Sequence, residues 1–142
     1  MKLYVKIALF VVLFIAISGI LVALILYNKK HPDTANAKPD FIITAPLLQK
    51  EFEDNEETAS ARYTNKILEV TGTIASIIRA DSTHLNISLK TGSDMSSVIC
   101  TFLSVGDPSQ FKPGDEITLR GECSGFLMDV LLNNCAMVMN RK

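Results

Sequence analysis

The residues best suited to chemistry are three cysteines, Cys100, Cys123 and Cys135, two histidines, His31 and His84, and a run of acids from Glu51 to Glu57. Gly121-Glu122-Cys123-Ser124-Gly125 has the outline of a nucleophile elbow with cysteine as the nucleophile. Such an elbow needs a strand–turn–helix setting within a large α/β sheet. The chain after its apolar N-terminal part is too short for that sheet, and its one histidine beyond position 40 is His84, in a turn-rich stretch. Gly121 and Gly125 more simply permit a tight bend in a strand. A reactive thiol needs a cationic neighbour to lower its pKa, and spacing supplies none. The three sulfurs lack the paired C-x2-C spacing of a zinc site. Glu51, Glu53, Asp54, Glu56 and Glu57 lack the spacing and the glycine of a calcium loop. They suit a solvated helix face, with acids near a helix N-terminus where the macrodipole favours them. The expectation is therefore no catalytic residue, no cofactor and no metal: the chain is not an enzyme.

The elements that would carry these residues divide the chain in three. Ile7–Leu26 is an apolar run with no charge, interrupted only by Ser18 and Gly19. About twenty helical residues span about 30 Å, the hydrocarbon thickness of a bilayer. A core helix of a small domain rarely runs so long without a charge. A cleaved signal peptide would have an apolar stretch of about 7–15 residues followed by a small-residue site, which is not present here. Tyr27-Asn28-Lys29-Lys30 follows instead, a stop-transfer flank. Residues 1–27 are thus expected to form a tail and a transmembrane helix. Residues 28–40 are polar, carry two prolines and show no apolar period, so they read as a linker. Residues 41–142 are long enough for one core and not for two.

Lysines flank the apolar run on both sides, so the positive-inside rule nearly ties. The short N-terminal tail has the form of an uncleaved signal, which leaves the N-terminus inside and residues 41–142 outside the cytoplasm. The net charge of −1 hides a division. Residues 41–142 hold nine Lys or Arg against thirteen Asp or Glu, so this domain is acidic. Phosphate binding relies on Lys and Arg, so the balance opposes a nucleic-acid partner.

Within residues 41–142 the first pattern is helical. Thr44 precedes Ala45-Pro46, and proline suits a first helical turn. Leu47, Leu48 and Phe52 share a face, and Asp54 or Asn55 is placed to cap a second helix, so one bent helix and two helices both remain open. From Ile67 the period changes to two. Leu68, Val70, Gly72 and Ile74 alternate with polar residues, and the alternation slips at Ala75–Ile78, as at a bulge. Leu85, Ile87 and Leu89 mark a second strand, and Val98, Cys100 and Phe102 a third. Ile117, Leu119, Gly121 and Cys123 mark a fourth, and Val130–Met139 a fifth with an irregularity at Asn133-Asn134. Ala80-Asp81-Ser82, Thr91-Gly92-Ser93-Asp94, Gly106-Asp107-Pro108 and Lys112-Pro113-Gly114-Asp115 are breakers. Five short strands behind a helix predict a mainly β fold, a five-stranded Greek-key barrel of the OB type; a split sandwich or open α+β sheet is the alternative.

The ordered set Tyr63, Lys66, Val70-Thr71-Gly72, Cys100-Thr101-Phe102, Lys112-Pro113-Gly114-Asp115, Arg120-Gly121-Glu122-Cys123-Ser124-Gly125 and Leu132-Asn133-Asn134-Cys135 resembles the bacterial tRNA_anti-like family. The resemblance covers about Ile43–Met139 and implies an OB-fold in membrane-bound or exported bacterial proteins. The helix common between strands three and four of that fold has little room in Ser104–Asp115, so the N-terminal helix is expected to plug the barrel end. Cys123 and Cys135 fall on strands that an OB-fold sets side by side, so they are the candidate disulfide if the domain is exported. The other reading is three reduced core thiols, with Cys100 a buried apolar one.

A nucleic-acid-binding OB-fold combines a basic groove with stacking aromatics. The outward positions Glu69, Thr71, Thr73, Asn86 and Ser88 supply neither, and Lys66, Arg79, Lys90 and Arg120 do not cluster in sequence. The expected function is a non-catalytic binding module, anchored in a bacterial inner membrane and facing the periplasm. Its expected partners are the lipid bilayer, through the N-terminal helix, and an unknown protein, peptide or small envelope ligand. A nucleic-acid-binding protein is the alternative.

Overall fold

A computed structural model describes residues 1–27, 33–103 and 108–138 of the chain. The Lys29-Lys30 flank, His31, the Gly106-Asp107 breaker and everything after Val138 lie outside the described residues. The chain divides into two compact units, Met1–His31 and Pro32–Lys142. In the first, α1 (Lys2–Tyr27) is one helix of 26 residues. It is long and apolar enough to cross a membrane.

The second unit is a barrel with helical cover. Its elements are β1 (Phe41–Thr44), α2 (Ala45–Asp54), α3 (Glu56–Tyr63), β2 (Ile67–Arg79), β3 (His84–Lys90), β4 (Ser97–Leu103), β5 (Glu116–Leu127) and β6 (Asp129–Met137). The sheet order is β1-β2-β3-β4-β6-β5, and a β2–β5 pairing closes strands two to six into a ring. β4 and β6 run parallel and the other ring pairs run antiparallel. This is the expected five-stranded Greek-key barrel. One strand beyond the expected five is present: β1 adds in parallel beside the first half of β2.

β2 serves two neighbours in turn. Ile67–Thr73 pairs with β5, and Ile74–Arg79 pairs with β3. The switch falls at a register shift between Ile74 and Ser76, where the apolar alternation slips in sequence. A bulge there bends the strand enough for a small barrel to close. β5 and β6 carry two more shifts, one at Gly121 and one at Ser124 before Gly125, and Asn134 takes a left-handed backbone at φ 51°. The glycines and Asn133-Asn134 that break the sequence pattern are thus where the barrel turns its corners.

The inward residues form one core, including Leu68, Val70, Ile74, Ile87, Leu89, Val98, Cys100, Leu119, Cys123 and Leu132. The helical segment is two helices. Pro46 occupies the first turn of α2, and the Asn55 side chain accepts a hydrogen bond from the Thr58 N–H at 3.0 Å to start α3. α2 touches β1, β2, β3, β4 and β6, and its Leu48 and Phe52 are fully buried, so it plugs one end of the barrel. Among its described residues the β4–β5 connection holds one 3-10 turn, Pro108–Gln110. The second half of the polar segment ahead of β1 also lies on the barrel. Thr34 is buried and donates to the Asn134 carbonyl, and Arg120 Nη1 donates to the carbonyls of Ala35 at 3.4 Å and Ala37 at 3.1 Å.

Candidate binding groove at the plugged end of the barrel

The cysteine constellation does not assemble into a nucleophile. Gly121–Gly125 lies inside β5 rather than on a strand–turn–helix elbow. Cys123 is buried, and burial pushes its thiol pKa up. Cys100 is pushed further up, first by burial and then by its hydrogen bond with the Cys135 thiol. A raised pKa keeps a thiol protonated and unreactive. His84 is occupied at the start of β3: its Nδ1 lies 2.8 Å from Asp81 Oδ2 and 2.9 Å from Thr83 Oγ1. Asp81 itself is held well below the usual carboxylate range, first by the Thr83 backbone N–H, then by the Thr83 hydroxyl and the His84 N–H.

All three cysteines are free thiols in this structure. Cys123 is registered with Leu132 across β5 and β6, and Cys135 follows three residues on, on the same inward face. The sulfur beside Cys135 is that of Cys100, on β4.

The acids of α2 and α3 are mostly engaged. Glu51 Oε2 accepts from the Tyr63 hydroxyl at 2.6 Å and pairs with Arg62 at 3.3 Å. Tyr63 is buried, and burial, followed by this carboxylate, raises its pKa. Asp54 pairs with Lys50 at 2.7 Å. Among the described residues no three His, Cys, Asp or Glu side chains are placed to hold a metal ion.

The outer face of the barrel is polar and, along β2 and β5, net acidic, with Glu69, Glu116 and Glu122 beside Arg120. Thr71 and Thr118 share a hydrogen bond at 2.9 Å, and Glu69 is neutralised by Arg120 Nε at 2.9 Å. Asn86, Ser88, Ser97, Ile99 and Thr101 follow across β3 and β4, half-buried. The fold does not gather the scattered cations. Arg79 is registered with Leu85 near the start of β3 and Lys90 closes its far end, while Arg120 is spent on Glu69. The phenylalanines pack inward: Phe126 stacks on Phe52 with ring centres 5.4 Å apart, and Phe102 meets Phe111 at 6.5 Å.

The feature that does stand out is apolar. At the end plugged by α2, the β3–β4 loop and the β5–β6 hairpin bring Met95, Leu127 and Met128 to the surface at 84%, 77% and 69% exposure. With Phe126 and Ser96 they line a groove of about 670 Å3, rimmed by Glu53 and Glu56. The groove is built rather than accidental. Met128 takes a left-handed backbone at φ 66°, uncommon for a non-glycine residue. Its carbonyl accepts from Gln49 Nε2 at 2.9 Å, and the same amide nitrogen donates to Glu53 Oε1 at 3.0 Å. Gln49 is 2% exposed, and its Oε1 has no partner among the described residues. Ser96 Oγ donates to Glu53 at 3.1 Å, and Asp129 Oδ1 accepts from the Ser97 N–H at 2.6 Å. Helix, loop and hairpin are thereby tied together around the groove.

Reading the sequence alone misses Gln49, Met95, Leu127 and Met128 as site residues. One signal was present: Leu127-Met128 stands at a hairpin turn, where Gly, Asn or Asp is usual.

A closed barrel of this strand order, plugged by a helix, is an OB-fold domain. A family model described as tRNA_anti-like matches residues 1–137. The chain belongs to the tRNA_anti-like family, and the match takes in α1 as well as the barrel. Among solved structures, the chain is similar to a candidate nucleic acid-binding lipoprotein from Klebsiella pneumoniae. The two share 18% identity at a TM-score of 0.55, over 68% of this chain and 91% of that one. That likeness shows the fold. Lower-scoring likenesses are the Stn1–Ten1 complex of S. pombe (18% identity, TM-score 0.39, 52% of this chain and 59% of that) and asparaginyl-tRNA synthetase of Entamoeba histolytica (9%, 0.44, 73% and 25%). No curated protein matches the chain.

Proposed function

We propose that this protein is a membrane-anchored, non-catalytic binding module, with residues 1–27 as tail and anchor, 28–40 as the connecting segment, its residues 33–40 resting on the barrel, and 41–142 as the module. The observation that carries it is α1. Its 26 residues include the uncharged apolar run Ile7–Leu26, long enough to span the hydrocarbon core of a bilayer as a helix that satisfies its own backbone. The reading places the barrel on the outer side of a bacterial inner membrane, because a short tail before the first apolar helix has the form of an uncleaved signal. The Klebsiella protein of like fold, a candidate nucleic acid-binding lipoprotein, agrees with an envelope setting in its lipoprotein part. The burial of all three cysteines supports a non-catalytic role, and the net acidic barrel face supports a partner other than nucleic acid. In this oxidising compartment Cys123 and Cys135 are the pair proposed to form a disulfide.

Reporter fusions after Lys142 test the reading. An exported phosphatase should be active there and a fluorescent protein dark, with the full-length chain resisting carbonate extraction. A bright cytoplasmic reporter would defeat the topology. In a second arm the full chain in phosphatidylcholine nanodiscs is titrated with single-stranded RNA and DNA at low salt. Tight, salt-sensitive binding would replace the proposed class of partner with nucleic acid.

A further inference from the structure

We infer that the groove between α2, the β3–β4 loop and the β5–β6 hairpin takes an extended cationic–apolar segment of a partner protein, a Lys or Arg beside a Leu- or Phe-like side chain. The inference rests on the binding-module reading above and adds the surface and the partner's chemistry. Its volume of about 670 Å3 falls within the range of clefts that enclose a ligand, about 300–1,000 Å3. Its floor is Phe126, held against Phe52, and its walls are Met95, Leu127 and Met128. Methionine side chains adapt to varied apolar partners and suit a peptide better than a rigid ligand.

The rim decides the sign of the partner. Glu53 and Glu56 are the charged residues lining the groove, and neither pairs with a cation among the described residues. Glu53 is held in place by Gln49 and Ser96, two neutral donors, so its charge is fixed and uncompensated. Two carboxylates beside an apolar floor repel phosphates and anionic lipid headgroups, and attract Lys or Arg. Exposed apolar contacts at the centre with charge at the rim is the layout of protein interfaces. The Gln49 amide supports this role from behind. By holding the Met128 carbonyl it keeps the hairpin tip in one conformation, so little ordering is needed when a partner arrives.

The test is a selection of displayed random heptapeptides on the full chain in phosphatidylcholine nanodiscs, followed by titration of the enriched peptides. The expected result is enrichment of peptides joining Lys or Arg to Leu, Met or Phe. Their affinity should fall about tenfold with Leu127→Ser or Met95→Ser, and several-fold with Glu56→Gln. All three side chains are solvent-facing, so these variants should keep the parent's thermal midpoint. Enriched peptides that are acidic, or that bind unchanged to the three variants, would overturn this inference and leave the binding-module reading standing. An absence of enrichment joined to tight binding of single-stranded RNA would overturn both. Binding to phosphatidylglycerol vesicles through Leu127 and Met95, with no peptide enriched, would overturn the inference in favour of a lipid surface.

Discussion

Gly121 and Cys135 share one space between β5 and β6: a Cβ placed on Gly121 would lie 2.6 Å from the Cys135 sulfur and 3.2 Å from the Leu132 Cβ. The glycine therefore answers to a close approach across the barrel wall and not to a catalytic turn. Its φ is ordinary, so the constraint is space alone. Gly121→Ala should destabilise the barrel by about 1–3 kcal/mol through overpacking. Combining it with Cys135→Ala should recover part of that loss, because the sulfur is what the new methyl meets. Urea denaturation of the full chain in mild detergent, read as a double-mutant cycle, gives the coupling. Additive losses would show that Gly121 serves some other need.

The buried thiols make a pH prediction with a definite sign. Cys100 and Cys123 have raised pKa values because burial disfavours the thiolate. Above the ordinary thiol pKa of about 8.5 the unfolded chain loses protons that the folded chain keeps. The folded state then binds more protons, so stability falls as pH rises from about 8.5. The limit is about 1.4 kcal/mol per pH unit for each thiol. Tyr63, also raised, adds in the same direction at higher pH. Under reducing conditions the denaturation midpoint should drop between pH 8 and 10 in the parent and drop less in Cys100→Ala. Alkylation of the folded chain at pH 8 should be slow at both positions. Rapid labelling of Cys123 would contradict its burial.

The barrel was legible because its strands alternate with period two, and a half-buried strand cannot hide that alternation. The corners were legible as well, since Gly121, Gly125 and Asn133-Asn134 break the pattern where the backbone bends. β1 was not legible. Phe41-Ile42-Ile43-Thr44 is four residues long, too short for a period, and it abuts a helix. The groove was hidden for a different reason. It joins Glu53, Met95 and Leu127 from three distant stretches, and no local spacing brings those together. The docked part of the polar segment was hidden because its ties to Arg120 and Asn134 use backbone carbonyls and one threonine. Such a segment reads as a linker in composition.

Arg120 links three parts of the second unit. Its Nε donates to Glu69 on the neighbouring strand, and its Nη1 reaches the Ala35 and Ala37 carbonyls. Arg120 and Glu69 side chains are 22% and 17% exposed, enough shielding for the pair to matter. Arg120→Met should keep the apolar stem on the barrel and release the charge contacts. We expect a loss of about 1–3 kcal/mol and faster amide exchange at residues 33–38. Glu69→Gln should lower stability by less, and should leave the contacts to Ala35 and Ala37 in place. Equal exchange in the parent and in Arg120→Met would show that Thr34 and the Asp40 contacts with Ile67 hold the segment without Arg120.

Phe52 joins the stability of the barrel to the shape of the groove. It is 1% exposed on α2, stacks on Phe126 and lies 6.0 Å from the Tyr63 ring. Phe52→Ala should cost about 3–5 kcal/mol, since the plugged end cannot collapse around the lost ring without moving α2. Phe52→Leu should cost less and leave the chain folded. In that variant Phe126 loses its stacking partner, so the groove floor should loosen while the barrel persists. Peptides selected on the parent should then bind Phe52→Leu more weakly, even at temperatures where its circular dichroism matches the parent. Met128 should be affected less, because Gln49 holds its carbonyl from a different turn of α2. Unchanged peptide affinity in Phe52→Leu would mean that the hairpin tip alone, without the Phe126 floor, forms the binding surface.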